Sequence, residues 1–146
     1  MDFVTGPELL ALERGHLVRL LVWAAGSLLA GAACLLWSRH ATVQAFWRHA
    51  GIQSAAWGAV DFAIVVFAWR GLSPRDGAGA IALDRVLWLN IGLDIGYAMV
   101  GLTLLIIGLG RPRRPGLVGA GAAVIVQGVA LAVLDAILSA AILRAT

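Results

Sequence analysis

Four apolar runs, each long enough to cross a bilayer, are separated by short segments that hold most of the chain's arginine. They occupy residues 17–37, 51–69, 84–110 and 116–143. A run of about 20 apolar residues matches the hydrocarbon thickness as a helix. Lipid offers no partner to backbone N–H and C=O groups, so such a run must satisfy them internally. The expectation is an all-α fold: a transmembrane four-helix bundle forming one integral membrane domain over residues 1–146. Composition agrees, since only 13% of the residues are charged, against about a quarter in a soluble domain.

The first run is too long for the core of a signal peptide, which spans about 7–15 residues. The segment Gly31-Ala32-Ala33-Cys34 loosely resembles a lipoprotein cleavage box, but Leu35-Leu36-Trp37 continue the run beyond it. A retained span is expected. Ahead of it, Thr5-Gly6-Pro7-Glu8 reads as a capping box with proline in the first turn. It predicts a short N-terminal amphipathic helix through Leu9, Leu10 and Leu12. Cys34 is the only cysteine, which excludes an intrachain disulfide and a cysteine-rich metal site.

The net charge is +3 and every one of the 11 Lys+Arg positions is arginine. These arginines sit at span ends, where membrane proteins keep them, so a nucleic-acid partner is not expected. Four spans put both termini on one side, with Arg70, Arg85 and Arg144. Arg39, Arg48 and the 111–115 turn then face the other side. Arginine is nearly balanced between the two sides, with a slight lean towards a cytoplasmic 111–115 turn.

Against this background stand Asp61, Asp94 and Asp135, one in each of the last three spans. Each lies nine residues from a span-end arginine: Arg70, Arg85 and Arg144 in turn. At 1.5 Å per residue that is roughly 13–14 Å, so the carboxylates share one depth near the midplane. Acids inside a span are costly and mark functional sites by default.

Other polar residues fall on the same stripes. Gln53, Trp57 and Asp61 are spaced by four, Asn90, Asp94 and Tyr97 fall at i, i+4 and i+7, and Gln127 lies two turns before Asp135. Turned inward, they make one polar seam. The pattern Gln53-x7-Asp61-x8-Arg70 recurs as Gln127-x7-Asp135-x8-Arg144. Spans 2 and 4 run in the same direction, so the echo points to a duplicated two-helix unit. Such repeats place transport sites at their interface. Gly92-x3-Gly96 is the small-residue pattern that lets helices approach closely, and Gly58 and Gly128 are expected to pack helices beside the seam.

No arginine, lysine or histidine lies within the interiors of spans 2, 3 or 4, so the sequence offers the aspartates no counter-ion. Three states follow: protonated acids bonded to Asn, Gln or Tyr; carboxylates holding a cation; or carboxylates paired with a basic residue of another protein. Catalytic and metal-binding readings are weaker. His16, His40 and His49 all lie near span ends. The Gly-x-Gly-Asp signature of intramembrane aspartyl proteases is missing, and no phosphate-binding, dinucleotide-binding or nucleophile motif occurs. No cofactor is expected.

The stretches Trp57-Gly58-x2-Asp61, Asn90-x-Gly92-x-Asp94-x-Gly96-Tyr97 and Gln127-Gly128-x6-Asp135 together resemble a family of small four-span bacterial membrane proteins without an assigned activity. The resemblance implies a multi-pass protein of a bacterial inner membrane. From the residues themselves, the expectation is a seam that binds protons or a cation in transport, through Asp61, Asp94, Asp135, Asn90, Tyr97, Gln53 and Gln127. The alternative is an accessory or structural subunit docking another membrane protein. Its partners would be the lipid bilayer and either a second copy of the chain or a different membrane protein.

Overall fold

The computed structural model describes residues 5–144. They form four helices joined by short connectors: α1 (Gly6–Trp37), α2 (Gln44–Arg70), α3 (Gly77–Leu109) and α4 (Pro115–Arg144). All four are long and apolar enough to cross a membrane. The protein is a multi-pass, all-α four-helix bundle.

The helices outrun the expected spans where local chemistry lets them. The expected N-terminal amphipathic helix is not separate, because it continues into the first span as one helix of 32 residues. Gly15 is the only weak helix former at the join, and one glycine costs about 1 kcal/mol. The capping box does not form either, since the Thr5 side chain makes no cap hydrogen bond. The backbone N–H of Gly6 instead donates to the Arg75 carbonyl at 2.8 Å, which pins the start of α1 to the α2–α3 connector. α3 begins seven residues earlier than its apolar run because Asp76 is its N-cap, accepting from the Gly79 N–H at 2.8 Å.

Packing follows a seven-residue period. The buried positions of α3 are Ala80, Leu87, Asp94, Gly101 and Gly108, and α4 buries Gly121, Gly128, Asp135 and Ile142 at the same interval among others. Such a period keeps one stripe facing its neighbour and is the mark of left-handed helix packing. Glycines on these stripes bring backbones together. A β-carbon at Gly101 would lie 2.8 Å from the Gly121 carbonyl oxygen, and one at Gly58 would lie 2.9 Å from that of Ala24.

The packed pairs are α3 with α4, α1 with α2, α2 with α4 and, less extensively, α1 with α4. Two helical hairpins therefore meet through α4, which has the most buried span. Leu20, Val65 and Leu131 tie α1, α2 and α4 together, and Leu9, Ala80, Leu87, Leu138 and Ile142 seal the end near the N-terminus. α2 and α3 are not among the packed pairs. The gap between them holds the site.

Candidate functional site

Each aspartate is placed by a packing stripe. Asp94 and Asp135 occupy heptad positions of α3 and α4 that glycines fill two and four turns along. Asp61 sits one turn beyond Gly58, whose missing side chain seats α2 against α1. All three acids are buried, at 1%, 7% and 8% exposure for Asp61, Asp94 and Asp135. All three line one cavity of about 480 Å³ between α2 and α3, floored by α4. Asp135 lies within electrostatic range of both Asp61 and Asp94.

The cavity has two distinct ends. On the side away from the termini, Trp57 and Tyr97 meet edge to face, ring centroids 4.9 Å apart, and bridge α2 to α3. On the terminal side, Glu13 of α1 and Arg75 of the connector both line the cavity. They form an ion pair at 2.7 Å. The side walls are apolar, with Val60, Ile64, Val86 and Leu93 each about half exposed. The cleft thus opens laterally, towards where lipid would be.

The sequence expectation that the aspartates lack a basic partner within the chain is corrected by α1. His16 is buried in the same cavity, its Nε2 3.3 Å from an Asp135 carboxylate oxygen. His16 Nδ1 and Asp61 Oδ2 are both buried without a hydrogen-bond partner among the described residues. Glu13 and His16 were missed because the first turns of α1 read as a separate amphipathic helix. Taken as one helix, Leu9, Glu13, His16, Leu17, Leu20, Ala24, Ser27 and Gly31 form one buried stripe. Their spacing was the available signal.

Asn90 and Tyr97 line the cavity with Asp94, but the contact made by the Tyr97 ring is with Trp57 rather than a carboxylate. The two glutamines depart from the expected seam. Gln127 accepts from Trp23 Nε1 at 2.7 Å and donates to Ser27 Oγ at 2.9 Å, so it fastens α4 to α1. It borders a second, mainly apolar groove instead of the carboxylate cavity. Gln53 is half-buried and lies outside the carboxylate cavity. Gly92 and Gly96 do not pack α3 against a neighbour, because nothing lies within 4 Å of where their β-carbons would be. That face points outward, while Asp94 points in. Gly128 makes the closest approach to the site: its β-carbon would sit 2.5 Å from the Asp94 carbonyl oxygen.

A family model described as a family of unknown function, DUF6992, matches residues 19–136. The chain belongs to the DUF6992 family. The matched region contains all three aspartates and stops one residue after Asp135, while Glu13 and His16 lie before it. No curated protein and no solved structure matches the chain.

Chemically, the cleft is an apolar cavity with three carboxylates on its inner surface and an ion pair at one end. A buried carboxylate oxygen without a donor is expensive to hold. Adding a proton or a cation relieves that cost.

Proposed function

We propose that this protein binds protons or a cation at Asp61, Asp94 and Asp135 as part of transport across a bacterial inner membrane. The observation that carries the reading is Asp61. It is 1% exposed, it lines the cavity, and its Oδ2 has no partner among the described residues. Acids whose only role was helix pairing would be closed onto amide or phenol donors. Docking of another membrane protein ranks second, because it calls for an outward-facing carboxylate and all three are buried.

A route for protons runs from the terminal side. Glu13 and Arg75 stand at that end, followed by His16, Asp135 and then Asp61 and Asp94 around the cavity. His16 is suited to relay, because one ring nitrogen faces Asp135 while the other has no partner among the described residues. The Trp57–Tyr97 contact separates the carboxylates from the opposite side. Alternating access would require that contact to open while the Glu13–Arg75 end closes. A proton and a cation compete for the same carboxylates, which couples their movements.

The test is proton flux into proteoliposomes under an imposed pH gradient, comparing the natural protein with Asp94→Asn. Flux above that of empty liposomes, lost in the variant, is expected. Equal flux in all three preparations overturns the proton-transport reading.

A further inference from the structure

We infer that the cleft takes a lipophilic organic cation, reached sideways from the bilayer between α2 and α3. This inference rests on the transport reading above and names the class of substrate that shares the carboxylates with protons.

Three observations converge on that class. The first is the mismatch between the cavity and a bare ion. At about 480 Å³ it falls within the range of small-molecule sites, roughly 300–1,000 Å³. Among the described residues, no group of three His, Cys, Asp or Glu side chains converges as a metal ion requires. The three carboxylates line a space that an organic body would fill.

The second observation is the chemistry of the surfaces. Asp61, Asp94 and Asp135 supply negative charge, and the Trp57–Tyr97 pair supplies aromatic surface beside it. Aromatic faces and carboxylates together recognise quaternary or protonated amines, through quadrupole and charge attraction. The remaining walls, including Leu20, Val60, Ile64, Leu87 and Leu93, are hydrocarbon. An anion would face the three carboxylates that line the same space.

The third observation is the route. α2 and α3 are not among the extensively packed pairs and are bridged by the Trp57–Tyr97 contact, and Val60, Ile64, Val86 and Leu93 at their edges are about half exposed. Two polar atoms of residues lining the cavity, Asp61 Oδ2 and His16 Nδ1, have no partner among the described residues, and those residues are 1% and 7% exposed. Asp61 can meet a positive charge. A neutral His16 can accept from an N–H group through its free nitrogen.

The test is equilibrium dialysis of tetraphenylphosphonium against the purified full-length protein in bilayer nanodiscs, at mildly alkaline pH. Saturable binding with about one cation per chain, above that of protein-free nanodiscs, is expected, and none for tetraphenylborate, an anion of the same shape dialysed separately. Asp61→Asn should weaken binding at least tenfold. Ile64→Trp, which narrows the lateral opening and leaves every carboxylate in place, should do the same. Because an aspartate variant can fail through misfolding, the Ile64 variant is also checked for Asp94-dependent proton flux. Uptake no greater than that of protein-free nanodiscs, or equal saturable binding of the anion, overturns the inference. If the proton flux is present in that case, the site is a proton site without this ligand class. If flux is absent as well, the transport reading falls with it.

Discussion

Replacing Gly128 with alanine tests whether the α3–α4 separation is set by missing side chains. The added β-carbon would lie 2.5 Å from the Asp94 carbonyl oxygen and 2.9 Å from the Ala98 nitrogen. Both atoms are helix backbone, so neither can swing aside. Ordinary contact requires the helices to part by about 1 Å at this level, and overpacking of that kind costs about 1–3 kcal/mol. Glycine to alanine also carries an intrinsic helix gain of up to about 1 kcal/mol, which would mask part of the loss. Gly92→Ala is the control. It lies on the same bundle's open face with nothing within 4 Å, so it gains the helix term and meets no contact. The difference between the two variants isolates the contact and should be about 1–3 kcal/mol. Reversible unfolding in mixed micelles by graded addition of denaturing detergent provides the measurement. Equal stabilities for Gly128→Ala and Gly92→Ala would refute the packing argument, as would a larger loss at Gly92.

Two further substitutions examine α1. Trp23→Phe removes the donor to Gln127 and leaves a smaller aromatic ring, so the same unfolding titration should show a loss of at least about 0.6–1.7 kcal/mol, the range of hydrogen bonds inside membrane bundles. No loss would mean that the Trp23–Gln127–Ser27 link does not hold α4 to α1. His16→Ala strips Asp135 of its partner in the cavity and should lower stability by about 1–3 kcal/mol, with His16→Gln recovering part of it. Unchanged stability in His16→Ala would place His16 outside the buried network.

Much of this architecture can be read from the chain because the bilayer leaves few choices. Apolar runs of this length must be helices, and the equal spacing of Asp61, Asp94 and Asp135 from span-end arginines anticipates that they share one cavity. Which helix faces touch is harder to read. Two glycine patterns compete on α3: Gly92 with Gly96, four apart, and Gly101 with Gly108, seven apart. The second coincides with Asp94 at the same interval, and that stripe meets α4. The four-residue pattern is compatible with close packing but has no neighbour here.

Gln127 illustrates a different difficulty. Its distance from Asp135 fixes a shared helix face only approximately, and α4 is wide enough to give one edge to α1 and another to the cleft. The role of α1 was hidden for a third reason. Glu13 and His16 lie in turns that look amphipathic and interfacial when read alone. Their burial depends on α1 running unbroken from Gly6 and on the Gly6–Arg75 backbone bond holding its start over the bundle. That bond joins residues far apart in sequence, and no local pattern announces it.

Asp61 holds a buried carboxylate oxygen without a partner among the described residues, in a cleft lined by Asp94 and Asp135 as well. The most direct measurement is labelling by a lipophilic carbodiimide, which adds to protonated carboxyl groups within membranes. The protein is reconstituted in lipid and the modified residues are mapped by mass spectrometry, with and without tetraphenylphosphonium. Modification at Asp61 or Asp94 is expected, reduced when the organic cation is present. An unmodified set of Asp61, Asp94 and Asp135, in protein whose exposed carboxyl groups react normally with a water-soluble carbodiimide, would contradict it.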